Sequence, residues 1–285
     1  MLTRPSSLPL LAQAMPPVGV VIFFLALWIF LIGGAIAFYR GPVRKVARGE
    51  GEVAPLPFGM PDVLALVVAG LWMLALLAPA LAGGGSGEEG EITTRGMGQS
   101  IFLFAIIVGG LAWFMENRRI SVAAMLGWRR IGLWKAVLKG ALFMLCAYPL
   151  VLVCMIITSG LLKDKGTPQK LIEFFHSAVS SGDYRAVTMT VISAVVVAPF
   201  VEEFIFRGYI YGVLRRYLGP WKGMLLASLA FAAIHLNILG FPSLFVLALC
   251  FTLAYEATGS LLVPMTMHAV FNFVNLIQVF NLASR

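Results

Sequence analysis

Charged residues are scarce in this sequence. Asp, Glu, Lys and Arg together make up 12% of the 285 residues, whereas 60% are hydrophobic. Soluble domains carry about 25% charged residues, so the composition excludes an ordinary soluble protein. A transmembrane β-barrel is excluded as well, because its strands need segments of about 10 residues with alternating polarity, and the sequence lacks them. The α-helix is the remaining structure that satisfies its own backbone hydrogen bonds in lipid.

The residues that mark several common catalytic centres are also missing. The three cysteines lie in apolar runs and show neither disulfide nor metal-site spacing. The absence of an H-E-x-x-H helix excludes a zincin, and the absence of a Walker loop leaves nucleotide-driven transport without support. No pair of Asp residues lies within an apolar run, which excludes an aspartyl mechanism in the membrane.

Hydrophobic runs are abundant. A helix needs about 20 residues to cross the hydrocarbon layer, and eight runs are candidates, although the last three are short or closely spaced. We therefore predict an all-α polytopic membrane protein with about eight transmembrane helices. The runs cover residues 17–39, 62–82, 99–115, 136–161, 186–213, 222–239, 242–257 and 260–281.

The basic residues indicate the orientation of these helices. They follow the first, third and fifth runs, and the positive-inside rule places such loops in the cytoplasm, which puts both termini outside. The net charge of +8 then reflects contact with anionic lipid headgroups, so we expect membrane lipids as partners and no nucleic acid. The clusters are Arg40, Arg44, Lys45 and Arg48; Arg118, Arg119, Arg129, Arg130 and Lys135; and Arg215, Arg216 and Lys222.

The chain changes character near residue 183. We interpret residues 1–183 as an N-terminal region of four membrane helices with loops, including an acidic, Gly-rich segment at 83–98 and an amphipathic helix within 162–184. In residues 184–285 polar side chains enter the apolar runs, and we interpret this part as the catalytic membrane core. The short loops and the Gly and Ala content favour an integral protein of a bacterial plasma membrane.

The strongest functional signal is a pair of adjacent glutamates, Glu202 and Glu203, inside an apolar run. Ionised groups at this depth are costly and are found paired or in functional sites. Arg207 lies four residues after Glu203, so the two can form an ion pair on one helix face. Glu202 points about 100° away around the helix, and it is left free to act as a general base.

Two histidines lie at a similar depth. Glu202 precedes Arg215 by as many residues as His235 follows Lys222, and both basic residues flank the same predicted loop. The two side chains therefore fall in one layer of the membrane, which predicts an intramembrane polar cavity.

His268 joins this layer if Glu256 marks the next cytoplasmic turn. Asn272 shares a helix face with His268, and Phe231 shares one with His235, because each pair is four residues apart. A lone His or Asn in a membrane helix is often a structural hydrogen-bonding residue. Several such residues at one depth instead indicate a site.

Two kinds of chemistry fit these residues, and both stay open. Glu202 with His235 can activate a water for attack on a peptide carbonyl, while His268 and Asn272 donate to the developing oxyanion. Alternatively, Glu202, His235 and His268 are a ligand set for zinc with an open fourth position. The cofactor is therefore either none or zinc.

Three motifs resemble those of the CPBP intramembrane proteases, also called the CAAX-protease and bacteriocin-processing or Abi family. That family carries E-E-x-x-x-R, F-x-x-x-H and H-x-x-x-N or H-x-x-x-D on successive helices. Here they begin at Glu202, Phe231 and His268 and end at Arg207, His235 and Asn272. The resemblance covers roughly residues 190–275.

The resemblance implies an eight-helix core with a cavity that opens to the cytoplasmic side, and the activity of an intramembrane endopeptidase. It implies that Glu202 activates water with His235, that His268 and Asn272 form the oxyanion site, and that Glu203 and Arg207 brace them. A metal-free glutamate mechanism is favoured. Substrates of the family range from prenylated CAAX proteins to bacterial peptides, and for a bacterial member we expect a membrane-anchored protein or peptide.

Two other functions remain as alternatives. A non-proteolytic membrane scaffold or immunity protein can keep the same fold, although loss of Glu202 would then be expected. A proton-coupled transporter can also use buried carboxylates and histidines. Transporters commonly show repeats in both halves, whereas the polar residues here lie in one half only.

Overall fold

The computed structural model describes residues 18–81, 92–162 and 170–283, and these residues form helices connected by turns, with no strand among them. The acidic residues of the 83–98 segment at positions 88, 89 and 91 lie outside the described residues. The helices are α1 (Val18–Arg48), α2 (Met60–Leu81), α3 (Thr94–Asn117), α4 (Val122–Leu126), α5 (Trp128–Ile131), α6 (Leu133–Leu162), α7 (Lys170–Ser181), α8 (Tyr184–Val191), α9 (Ala198–Glu203), α10 (Tyr211–Ile234), α11 (Phe241–Thr258) and α12 (Leu262–Ala283).

The predicted all-α polytopic membrane fold is confirmed. Six helical segments of the described chain are long and apolar enough to cross a membrane, and α2 contains a further, shorter apolar stretch. The longest segment, Tyr184–Ile234, contains the fifth predicted run and most of the sixth. Gly219 has φ 81° and ψ 166° within it, a conformation that glycine adopts easily, and Pro220 follows. The chain therefore turns there between two helical arms.

One predicted boundary is wrong. The run 222–239 was expected to stay helical to its end, but α10 ends at Ile234 and His235 is its C-cap residue. The next helix, α11, then begins at Phe241, with Gly240 as its N-cap residue and Pro242 in its first turn. Because a proline has no amide hydrogen, it fits the first turn of a new helix better than the interior of an old one.

The helix that carries the two glutamates is irregular. Two π-helical stretches, Ile192–Val197 and Phe204–Ile210, lie immediately before and after α9. A π-helical turn is rare and occurs mostly as a single turn at functional sites. Pro199 lies in the first turn of α9, so this part of the chain departs from regular α-helix on both sides of Glu202 and Glu203.

One apolar core joins the two predicted regions. In the main core cluster, Phe143 and Met144 of α6 pack with Phe251 of α11 and Val263 of α12. Tyr39 of α1 donates a hydrogen bond to the Phe143 carbonyl at 2.8 Å. The predicted amphipathic helix is present as α7, with Phe175 buried. The predicted division at residue 183 stays a prediction.

The three basic clusters meet at one face of the molecule. Glu52 pairs with Lys45 at 3.1 Å and with Arg130, and the Lys45 hydrogen bond lowers the pKa of the Glu52 carboxyl below its usual range. The Glu52 amide also donates to the Glu256 carbonyl at 2.7 Å, and Glu256 pairs with Arg215 at 2.6 Å. Residues from all three clusters therefore share one face, as the charge pattern predicted.

Glu256 lies near the end of α11, beside the turn that it was expected to mark. Its side chain is nevertheless fully buried. Besides Arg215, it accepts a hydrogen bond from the Tyr211 hydroxyl. An apolar environment would not hold an unpaired carboxylate, and these two partners, which come from another helix, explain why Glu256 can be buried.

A glycine sets the distance between α6 and α12. A Cβ atom at Gly140 would lie 2.8 Å from the Val263 carbonyl oxygen and 2.9 Å from Thr266 Cγ2, whereas a Cβ at Gly160 would meet nothing within 4 Å. Small residues allow this kind of close approach between membrane helices.

We predict that Gly140→Ala forces α6 and α12 apart and destabilises the fold by about 1–3 kcal/mol. Gly160→Ala on the same helix is the control and is expected to be neutral or slightly stabilising, because Ala favours the helix over Gly. The measurement is the apparent melting temperature of each purified variant in detergent. Equal melting temperatures for the two variants would show that Gly140 does not set the helix spacing.

Candidate active site

A buried ion pair lies at the centre of the site. Glu203 is fully buried in α9, and its Oε1 atom accepts a hydrogen bond from Arg207 Nη1 at 2.8 Å. This is the pair that the spacing of the two residues predicted. Breaking a buried pair by removing one partner leaves an uncompensated charge, which is strongly destabilising.

Arg207 has further partners besides Glu203. Its Nη2 atom donates to the Ala248 carbonyl of α11 at 3.1 Å. The guanidinium lies over two aromatic rings, 4.6 Å from the ring centre of Phe231 and 5.1 Å from that of Phe251. Such cation–π contacts strengthen when water is excluded. Arg207 therefore ties α10 and α11 to the glutamate-bearing helix.

His268 contacts both glutamates. Its Nδ1 atom lies 3.1 Å from Glu203 Oε1, so Nδ1–H donates to that carboxylate and the tautomer follows from this bond. The Nε2 atom then points towards Glu202, with 3.9 Å between Nε2 and Glu202 Oε2. The ring stacks on Phe251 at 5.2 Å and meets the Phe231 ring edge-on at 6.0 Å. These contacts fix the orientation of the imidazole.

Glu202 is the more open of the two glutamates. Its side chain is 28% exposed, and its Oε2 atom is buried without a hydrogen-bond partner in the described part of the chain. The 3.9 Å gap to His268 exceeds hydrogen-bonding distance, and polar atoms at such a separation are commonly bridged by a water. A carboxylate oxygen and an imidazole nitrogen thus face one small space.

His235 is linked to the site by its contacts with Phe231. Its Nδ1 atom lies 2.7 Å from the Phe231 carbonyl oxygen, to which Nδ1–H donates, and the two rings are 4.8 Å apart. This bond leaves Nε2 as the hydrogen-bond acceptor of the ring. Phe231 also contacts His268, so one aromatic ring orients both histidines. The position of His235 at the end of α10 makes it half-buried.

Asn272 has a hydrogen-bond partner within the protein. Its Nδ2 atom donates to the Ala194 carbonyl at 2.7 Å, within the first π-helical stretch. One of the two N–H bonds of the amide is therefore used by the protein itself. The second N–H is the one with which Asn272 can still donate to an oxyanion, and that role stays a prediction.

The zinc hypothesis can be tested against the donor positions. In the described ranges of the chain, no three His, Cys, Asp or Glu side chains lie close enough together to hold a metal ion. Glu202 and His268 approach each other, but His235 contacts Phe231 instead of completing a three-donor set. The choice between a zinc site and a metal-free site stays a prediction.

Two cavities lie near the segment that carries the glutamates. One of about 140 Å³ reaches Arg207 from the basic face, between the 53–58 segment and Gly208, Gly212 and Tyr255. A larger one of about 380 Å³ lies between α3 and the first π-helical stretch. Glu202, His235, His268 and Asn272 line neither cavity, so the predicted polar cavity around them stays a prediction.

Sequence analysis did not identify some of the residues that contact the site. Phe251 and Ala248 hold Arg207, and Ala194 binds Asn272. These are apolar residues whose contribution is a ring face or a backbone carbonyl, and no pattern marks them. Pro199 gave a readable signal, because a proline three residues before Glu202 must disturb a helix there.

The site thus combines a carboxylate from α9, a histidine at the end of α10, and a histidine and an amide from α12. The family described as "Type II CAAX prenyl endopeptidase Rce1-like" matches residues 185–274. The chain is 30% identical to the uncharacterized protein YpbD of Bacillus subtilis over 187 residues, 64% of this chain and 87% of that protein. It belongs to this Rce1-like family, and the predicted resemblance is confirmed.

A second relative comes from another bacterium. An uncharacterized 24.3 kDa protein of Escherichia coli is 37% identical over 87 residues, which is 29% of this chain and 40% of that protein. No solved structure matches the chain.

We predict that Arg207→Met destabilises the protein by about 3–5 kcal/mol, because Glu203 is left buried without its partner. Adding Glu203→Gln to this variant should recover much of the loss, since the buried charge is then removed while the Glu203 side-chain volume is kept. The exposed Arg216→Met is the control. The measurements are the monodisperse yield and the apparent melting temperature in detergent. A double variant no more stable than Arg207→Met would show that the charge of Glu203 is not the cause.

Proposed function

We propose that the protein is an intramembrane endopeptidase that hydrolyses peptide bonds of membrane-associated proteins or peptides with a glutamate-activated water. The observation that carries this proposal is the facing of Glu202 Oε2 and His268 Nε2 at 3.9 Å, in a buried site where Glu203 orients the opposite side of the imidazole. Membership of the Rce1-like family supports the same reaction class.

The proposed reaction uses Glu202 as the general base. Glu202 takes a proton from a water held between it and the histidines, and the oxygen of that water attacks the carbonyl carbon of the scissile peptide bond. The C–N bond then breaks, and Glu202 returns the proton to the departing amine. His235 assists by accepting a hydrogen bond from the water at its free Nε2 atom.

The proposed oxyanion site uses His268 and Asn272. Glu203 accepts the Nδ1–H of His268, and such a carboxylate stabilises the imidazolium form. A proton on Nε2 can then be donated to the oxyanion beside Glu202. Asn272 can contribute its second N–H. Phe231 and Arg207 act by holding the histidines and Glu203 in place.

The proposed substrate is a membrane-anchored protein or peptide, because the site lies between membrane helices. Bilayer lipids surround the protein, and a nucleic-acid partner is not expected. Relatives in Bacillus subtilis and Escherichia coli support a bacterial plasma membrane as the location.

We propose that catalysis needs no metal, since the described donors do not form a three-ligand group. Purified protein treated with 1,10-phenanthroline and dialysed is expected to keep its full peptidase activity, with metal well below one equivalent by mass spectrometry. A matched sample treated with the non-chelating 1,7-phenanthroline controls for aromatic binding. Loss of activity with the chelator alone, and its recovery with added zinc, would show a metalloenzyme.

Glu202→Gln is expected to abolish cleavage, a loss of at least about 10²-fold, while the protein still folds, because the amide keeps the volume but cannot accept the proton. The control is Glu173→Gln, which changes an exposed glutamate on α7 and should leave activity unchanged. The measurement is mass spectrometry of protein termini in membranes and medium from cells with equal expression of each variant.

Termini that disappear with Glu202→Gln and with His235→Ala would identify the substrate. Cleavage that continues at the normal rate in Glu202→Gln would remove Glu202 from the catalytic role. No difference among folded variants would instead favour a scaffold of the same fold.

A further inference from the structure

One backbone hydrogen bond is missing from the first π-helical stretch. The five-residue spacing of the π-helical bonds shows which one it is. The Ala198 amide donates to the Ser193 carbonyl, five residues earlier. The next bond of this register would run from residue 199 to the Ala194 carbonyl. Residue 199 is a proline, which has no amide hydrogen, so the helix itself cannot supply that bond.

Asn272 supplies the missing donor. Its Nδ2 atom lies 2.7 Å from the Ala194 oxygen, the carbonyl that Pro199 leaves unpaired. A backbone carbonyl without a partner is costly in an apolar membrane interior, and neighbouring side chains or π-type adjustments restore the bonds that proline removes. Here both adjustments occur at one position, and the side chain comes from the helix that also carries His268.

Among the described residues, Ser193, Ala194, Val197 and Ala198 line a cavity of about 380 Å³ next to α3. The described part of the chain therefore leaves space beside this stretch, and the bond from Asn272 is a polar contact that fixes it. Glu202 lies three residues after Pro199, so a shift of this turn would move the carboxylate relative to His268.

We propose that Asn272 is a positioning residue, which replaces the amide hydrogen that Pro199 lacks and thereby fixes the turn that carries Glu202. This inference rests on the proposed peptidase function for its effect on catalysis. Under this inference Asn272 has a structural role before any substrate binds, and Pro199 belongs to the same arrangement. We propose this role in place of the donation to the oxyanion considered above, which would act on the substrate, so that His268 is then the oxyanion donor.

The test is to restore the backbone donor. Pro199→Ala provides an N–H that can bond to the Ala194 carbonyl in the existing register, and the kcat of this variant is the reference for the double variant. Asn272→Ala is expected to lower kcat by about 10-fold or more with little change in KM, since small misplacements of catalytic groups have such effects. In the Pro199→Ala background the same change should cost no more than about 3-fold, because the turn is then held by its own amide.

A matched control comes from the same helix. Gln278 Nε2 donates to the Tyr148 hydroxyl at 3.2 Å. Gln278→Ala therefore also removes a hydrogen bond that a side-chain amide forms between helices, but it leaves the turn that carries Glu202 unchanged. Its effect should be small and independent of Pro199→Ala. Melting temperatures are measured for all variants, and the loss caused by Asn272→Ala should likewise shrink when Pro199 is replaced.

The possible outcomes separate the two roles. A double variant that is folded but as inactive as Asn272→Ala would overturn the proposal, because an oxyanion donor cannot be replaced by a backbone amide at residue 199. Wild-type kcat in Asn272→Ala would overturn it too. If Asn272→Ala folds only together with Pro199→Ala, the proposal is supported, whereas failure in both backgrounds contradicts it.

A wild-type protein without any peptidase activity would defeat the proposed function separately. The melting-temperature comparison would then still decide whether Asn272 and Pro199 are coupled. Equal losses of stability from Asn272→Ala in both backgrounds would show that they are not.

Discussion

The buried pair of Glu203 and Arg207 is the constraint on which the rest of the site depends. An ionised carboxylate and a guanidinium are stable in an apolar interior only when each has partners. Arg207 therefore takes the Ala248 carbonyl and the faces of two phenylalanine rings, and Glu203 takes the Nδ1–H of His268. Meeting these requirements brings α10, α11 and α12 together around α9, so the geometry of the candidate site follows from the need to give two buried charges their partners.

The same pair separates the tasks of two adjacent glutamates. Glu203 faces Arg207 and is fully buried, whereas Glu202 is turned away from that pair and keeps 28% of its side chain exposed. One carboxylate is thus held by fixed partners, and its neighbour keeps an oxygen that no described residue binds. Two identical residues next to each other thus have different environments, and under the proposed function this difference assigns them different roles, as in enzymes that use paired carboxylates.

Composition and spacing were sufficient to predict much of this protein. Long apolar runs can only be helices in lipid, so the fold class followed, and the spacing of Glu203 and Arg207 predicted their ion pair. The burial of Glu256 was not predicted, because Arg215 and Tyr211 are more than 40 residues away along the chain and no pattern links them. The contacts of Phe251 and Ala248 use a ring face and a carbonyl, which many apolar residues offer equally well.

The irregular backbone explains how the helix that carries the glutamates can direct them towards one neighbouring helix while it packs against others. Residues along a regular α-helix turn by about 100° each, so the faces before and after a given turn are fixed by the sequence. A π-helical stretch adds a residue to a turn and changes which face follows it. With such stretches at Ile192–Val197 and Phe204–Ile210, α9 can direct Glu203 towards α12 while the flanking arms keep their own packing against other helices. A polar turn in a membrane helix needs this freedom, because the apolar residues around it must still meet their apolar neighbours.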